Sequence, residues 1–101
     1  MSEIASFKPG AVPAVWTGNY TNNFSDDITK YRMLIIWAEY NGQIMDSFMA
    51  PVSVFANKQI YLGWNDGSVN AHAKITISAD YRSGTVSSWN SFTKVTLYGV
   101  R

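Results

Sequence analysis

The apolar and polar positions of this chain alternate with the two-residue period of β-strands. The clearest case is the stretch 68–79, where alternate positions are apolar: Ala71, Ala73, Ile75 and Ile77. Residues 93–100 repeat the pattern, with Val95 and Leu97 on one face. No 11-residue window has a convincing 3.6-residue apolar repeat. We therefore predict strands and no helix.

One stretch is apolar at consecutive positions instead, over residues 33–38 (MLIIWA). A short continuous apolar run indicates either a central strand covered on both sides or a buried helix. Asn41-Gly42 follows directly, and Asn-Gly is the favoured dipeptide of a type I′ hairpin turn. We therefore predict a hairpin of 31–40 with 43–50, which Pro51 ends.

Turn residues recur every ~5–16 positions along the rest of the chain, a spacing typical of short strands joined by tight turns. They include a second hairpin turn, WNDG at 64–67, between a short strand at 59–64 and the alternating stretch. The pattern predicts an all-β protein, an antiparallel, jelly-roll-like β-sandwich of about seven short strands. Residues 1–13, with two prolines and a glycine, are predicted to be a lead-in or linker, and residues 14–101 the sandwich domain.

The composition favours a protein that covers part of its surface. The chain has 101 residues, enough for one domain. Only 15% of its residues are charged, against about 25% in ordinary globular proteins. Contact with copies of itself would explain this, and a monomer covered by Ser, Thr and Asn is the alternative. Four apolar residues are predicted to alternate onto one side of the first hairpin and are candidates either for subunit contacts or for packing between the sheets: Met33, Ile35, Met45 and Met49.

Several classes of protein fit poorly. The net charge is +1 and the basic residues are scattered, whereas a nucleic-acid binder needs a concentrated basic patch. There is no cysteine for a disulfide framework or a thiolate site. Residues 1–10 lack the apolar core of a secretory signal, and 33–38 is too short to span a bilayer. We expect a soluble chain with no secretion signal of its own and no membrane insertion.

Groups for catalysis or metal binding are scarce. His72, the single histidine, lies on the polar face of a predicted strand, and no G-x-S-x-G nucleophile elbow accompanies it. We interpret it as a half-exposed strand residue, with a ligand or subunit contact as the alternative. One histidine without cysteine cannot form a structural zinc site within one chain. Asp26-Asp27 is interpreted as a turn. We predict no enzyme, no cofactor and no metal site.

Aromatic residues are abundant instead: four Trp, six Tyr and five Phe. Several stand beside polar residues near predicted strand ends, and an aromatic face next to amide, carboxylate or guanidinium groups is suited to holding a sugar. The predicted ligand-binding residues are Trp64, Asn65, Asp66, Tyr81, Arg82, Trp89 and Asn90. The alternative for these aromatics is a place in the core or in an interface, which we favour for Trp16 and Trp37.

Five short motifs occur in a distinctive order: VWTGN at 15–19, DDITKY at 26–31, PVS at 51–53, WNDG at 64–67 and KVTLYGVR at 94–101. Together they resemble the C-terminal receptor-binding tip domains of tail fibres from tailed bacteriophages and prophages. The resemblance covers residues 15–101. It rests on the order and spacing of the motifs, since each one alone is short.

The resemblance implies a homotrimer of β-sandwich domains that binds a host cell-surface glycan or outer-membrane protein without enzymatic activity, at the tip of a virion's tail fibre. It names no contact residues, because binding loops vary between such domains. A structural trimerisation or capping module and a stand-alone small lectin are the alternatives. Either an excised fibre tip or a complete small protein would fit a chain of 101 residues.

Overall fold

A computed structural model describes residues 2–8, 15–16 and 20–101. It contains nine strands, which are β1 Ser2–Phe7, β2 Val15–Trp16, β3 Tyr20–Asn23, β4 Met33–Tyr40, β5 Gln43–Pro51, β6 Gln59–Asn65, β7 Asn70–Ile77, β8 Ser83–Asn90 and β9 Lys94–Val100. Two single 3₁₀ turns, Ile28–Lys30 and Val52–Val54, lie between strands. No α-helix occurs in these ranges, and none of their helical segments is long and apolar enough to cross a membrane.

The strands form two antiparallel sheets that pack face to face. The first sheet has the order β1-β9-β4-β5. The second has the order β2-β8-β7-β6, and β3 also pairs with β8, farther along the same strand. Strands β2 and β3 thus act as one interrupted edge, which gives two sheets of four. The predicted all-β sandwich is confirmed.

The expectation that residues 1–13 form a lead-in is corrected for residues 2–7, which are strand β1. This strand pairs with β9 from Ser2 to Phe7. The side chains of Ile4 and Phe7 are buried because they face the core between the two sheets. The lead-in was predicted from Pro9, Gly10 and Pro13, which disfavour regular structure. Residues 9–14 lie outside the described part of the chain.

The first hairpin forms as predicted. Asn41 and Gly42 both have positive φ, 50° and 85°, as a type I′ turn requires. Strand β4 is central, between β9 and β5. It alternates buried and half-buried residues, so one face is fully covered and the other only partly. Trp37, expected in the core or in an interface, lies on the partly covered face and stacks on Tyr98, with ring centroids 4.7 Å apart.

A β-bulge in β5 changes which residues share a face. The register to β4 shifts after the Ala38–Asp46 pair, and Met45 is the extra residue. Met45 consequently packs against the core. Ile35 and Met49, by contrast, are paired opposite each other and lie on the outer surface of the sheet. The prediction that Met45 shares one face with the other three members of its set is therefore wrong.

Candidate ligand-binding cleft

The predicted ligand-binding residues do not form one site. Trp64, Asn65 and Asp66 end β6 and begin its turn, whereas Tyr81 and Arg82 lie in the turn before β8. These turns are at opposite ends of the second sheet, because β7 separates them. Its eight residues span about 24 Å at ~3.4 Å per residue. A small ligand would therefore contact only one of the two groups.

Trp89 belongs to neither group, and its predicted ligand-binding role is wrong. Its side chain is 1% exposed, and its indole N–H donates to the backbone carbonyl of Phe92. The cause is a β-bulge at Ser88, which has φ 53° and falls where the register between β7 and β8 shifts. The bulge reverses the alternation of β8, so Trp89 faces the core like Val86, although their sequence spacing places them on opposite faces.

The Trp64 end of the sheet offers an exposed surface. Trp64 is 42% exposed, while Asn65 and Asp66 use their side chains within the turn. Asn65 Oδ1 accepts from the N–H of Gly67, and Asp66 Oδ1 accepts from the N–H groups of Ser68 and Val69. Those bonds, the Val69 bond first, lower the pKa of Asp66. These groups stabilise the turn. Asn90 lies two strands away at the same end of the sheet.

The Tyr81 end contains an open cleft of about 950 Å³. Its walls are the turn before β8 and the loop after β3, and its lining is Asn23, Phe24, Ser25, Asp26, Asp27, Asp80, Tyr81, Arg82 and Ser83. The two walls are joined by a backbone hydrogen bond of 2.8 Å from Phe24 N to Arg82 O. A volume of this size is at the upper end of the range for small-molecule sites, ~300–1,000 Å³.

Tyr81 holds a strained position in this cleft. Its φ is +60°, in the left-handed region that a bulky residue rarely adopts. The turn fixes that conformation, because Tyr81 N–H donates to Ser78 O at 3.0 Å and Ser78 Oγ accepts from the N–H of Arg82 at 3.1 Å. The half-buried Tyr81 ring also borders a second depression of about 350 Å³, beside Val52 and Tyr31. Tyr81 therefore separates two neighbouring concavities.

Three carboxylates of the cleft are held in fixed orientations. Asp26 accepts from Lys30 Nζ at 2.6 Å and from the Tyr31 hydroxyl at 2.7 Å, and these two bonds, in that order, lower its pKa to about 2. Asp27 Oδ1 accepts from the hydroxyl and the N–H of Thr29, which lowers the Asp27 pKa. Both carboxylates are ionised at neutral pH.

The third carboxylate, Asp80, is oriented in a similar way. Its Oδ1 accepts from the Ser78 hydroxyl at 2.7 Å and from the Arg82 N–H at 3.0 Å, and these bonds lower its pKa. In Asp27 and Asp80 alike, the oxygen that accepts these bonds is Oδ1. The Oδ2 atoms can therefore accept hydrogen bonds from a ligand.

Sequence reasoning identified Tyr81 and Arg82 and missed the acidic side of the cleft. It interpreted Asp26-Asp27 as a turn, which is confirmed, since Asp27 caps the 3₁₀ turn Ile28–Lys30. What it lacked was the proximity of this loop to the turn before β8, which arises because β3 pairs with the start of β8. The described residues contain no group of three or more His, Cys, Asp and Glu side chains that could hold a metal ion. His72 is an exposed residue of β7.

Comparison of the chain with protein-family models, curated proteins and solved structures gives no match.

Proposed function

We propose that this domain is a non-enzymatic, homotrimeric receptor-binding module of the tail-fibre-tip type, and that it binds a host cell-surface glycan in the cleft beside Tyr81. The observation that carries the proposal is this cleft, in which the ring of Tyr81, a residue with a strained backbone, is flanked by oriented polar groups. The ordered motifs that resemble tail-fibre tips support the assignment to that class and to the virion.

The chemistry of the cleft favours a saccharide over a protein receptor. A sugar presents C–H groups that pack on an aromatic ring and hydroxyls that donate to carboxylates. Tyr81 supplies the ring, and Asp27 and Asp80 supply acceptors fixed by the turn. Arg82 adds donors that suit hydroxyl or carbonyl oxygens. Because the turns already hold the Asp27 and Asp80 carboxylates in place, these side chains lose little conformational entropy when a ligand binds.

The charge of the cleft narrows the class of sugar. Its lining includes three ionised carboxylates and one guanidinium, and Lys30 pairs with one of the carboxylates, Asp26, so one negative charge is left in excess. Acidic sugars would be repelled by like charge at close range, whereas neutral or amino sugars would not. We therefore propose a neutral or amino-substituted glycan.

A homotrimer fits this mode of binding. A single open cleft binds a sugar weakly, and three copies that engage one cell surface would raise the overall affinity by ~10²–10⁴ without new contacts. Such a module needs no cofactor or catalytic group.

The test is a glycan array and an adhesion assay on bacterial cells with three variants. Tyr81→Ala and Arg82→Ala should each lower binding at least ~10-fold, the effect of a lost anchor of at least ~1.4 kcal/mol. His72→Ala is the matched control, because it removes an exposed ring at the opposite end of the sheet. It should bind like the unmodified protein.

Three outcomes would contradict the proposal. Binding that survives both cleft variants and is lost in His72→Ala would move the site to the other end of the sandwich. Preference for sialylated or uronic-acid glycans would refute the inference from charge. Absence of binding to any cell or glycan, by a correctly folded oligomer, would favour the structural capping module.

A further inference from the structure

The large exposed hydrophobic side chains of the described residues all lie along one edge of the sandwich. They are Ile44, Phe48, Met49, Val54, Tyr61 and Trp64. All belong to β5, to β6 or to the turn between them. Strand β5 is the edge of one sheet and β6 is the edge of the other. We call this surface, residues 44–64, the apolar edge.

The apolar edge is also nearly free of charge. The chain has fifteen charged residues, eight basic and seven acidic, and only Asp46 and Lys58 fall within the apolar edge. Asp46 is already engaged, because its Oδ2 accepts from the N–H of Gly63 at 2.8 Å. Natural edge strands are commonly protected from association by charges or prolines. Strand β6, with the sequence QIYLGWN, has neither.

The exposed area is close to what a stable interface needs. The six side chains are between 41% and 69% exposed. With ~150–250 Å² for a large side chain, these fractions amount to ~100 Å² each and ~600 Å² in all, against ~800 Å² per partner in a standard interface. Exposed apolar surface of this extent is at the upper end of what a monomer presents, and patches of that size are often functional.

We infer that the apolar edge packs against a second copy of this chain. A surface with so few charges offers little with which to select a different protein, and three identical copies can bring this same edge together around a three-fold axis. The contact is made by side chains rather than by continuous strand addition, because Asp46 already occupies the Gly63 N–H. The inference rests on the oligomeric part of the proposed function and locates its interface.

The test is light scattering after size-exclusion chromatography, applied to the protein and to three variants. Met49→Glu and Tyr61→Lys place charges on the apolar edge at side chains that are 57% and 69% exposed, so each should fold. Ser2→Lys is the matched control, since it adds a charge to an exposed residue of β1, at the opposite edge of its sheet. Circular dichroism and thermal melting monitor the fold.

We expect the unmodified protein and Ser2→Lys to give the mass of an oligomer of 11.3 kDa chains. Each apolar-edge variant should give a folded monomer. The charge buried in the interface should raise the dissociation constant of the oligomer at least ~100-fold. An oligomer that both variants leave intact would overturn the inference while the homotrimer stands. A monomeric unmodified protein would overturn both, and glycan binding by that monomer would leave the cleft proposal standing.

Discussion

Replacement of Gly99 by alanine should destabilise the fold through a single contact. Gly99 lies in β9, and the ring of Tyr31 packs directly on it. A Cβ at this position would lie 2.5–2.6 Å from Cγ, Cδ1 and Cδ2 of that ring, whereas carbon atoms in contact normally stay ~3.5–4.0 Å apart. The ring would have to move by about 1 Å.

The Tyr31 ring has little room to move. It is 4% exposed, its hydroxyl donates to Asp26 at 2.7 Å, and its backbone N–H donates to Ile28 at 3.2 Å. Overpacking of this kind costs ~1–3 kcal/mol, and we expect the upper part of that range because the clash is with ring atoms near the backbone. At ~4–8 °C per kcal/mol for a domain of this size, the melting temperature should fall by ~10–20 °C.

The sign of the effect makes the test decisive. Gly99 does not have a positive φ. If the new Cβ met no clash, Gly99→Ala would therefore stabilise the fold by ~0.4–1 kcal/mol, because alanine lowers the conformational entropy of the unfolded chain. Urea unfolding at one fixed protein concentration, in a double-mutant cycle with Tyr31→Ala, separates the two cases. Gly99→Ala should be neutral or stabilising once the Tyr31 ring is absent. A neutral or stabilising effect in the unmodified protein would refute the reasoning.

Two further predictions concern acid stability and the core. Because the pKa of Asp26 is lowered to about 2, from 3.8, its carboxylate stabilises the fold fully above about pH 4 and loses that contribution as the pH falls through about 2. Urea unfolding should therefore give Asp26→Asn a lower free energy of unfolding than the unmodified protein at about pH 7, and the two values should converge near pH 2. A difference in the free energy of unfolding that stays constant with pH would contradict this. Trp89→Ala should cost ~3–5 kcal/mol in the same assay, and Trp64→Ala less than that, because their side chains are 1% and 42% exposed. Equal costs would show that the indole of Trp89 is not a core element.

The fold followed from alternation and turn chemistry. Strand β7 buries Ala71, Ala73, Ile75 and Ile77 as its sequence pattern indicates. The Asn41-Gly42 turn has the two positive φ angles that make Asn-Gly favourable there. Both features are local, since they depend on a few adjacent residues and on the two-residue period of a strand. Strand β1 was missed because its apolar residues, although strand-like, precede two prolines and a glycine that dominated the interpretation.

The site could be predicted only in part, because bulges and strand pairing decide it. A single extra residue at Ser88 reverses the alternation of β8 and turns Trp89 from a surface position into the core. The bulge at Met45 does the same in β5. No local pattern fixes these positions, since each bulge depends on the register with a neighbouring strand.

The cleft likewise could not be predicted from local sequence, because it depends on long-range strand pairing. Asp26 and Asp80 are far apart in the sequence and share one cleft only because Tyr20–Asn23 pairs with the first half of β8. The sequence could identify Tyr81 and Arg82 as a polar-aromatic pair, but pairing across the sheet adds the acidic wall that gives the cleft its charge. The glycan preference proposed for this domain is therefore a property of the fold, and it should change when the loop after β3 is exchanged while Tyr81 and Arg82 are kept.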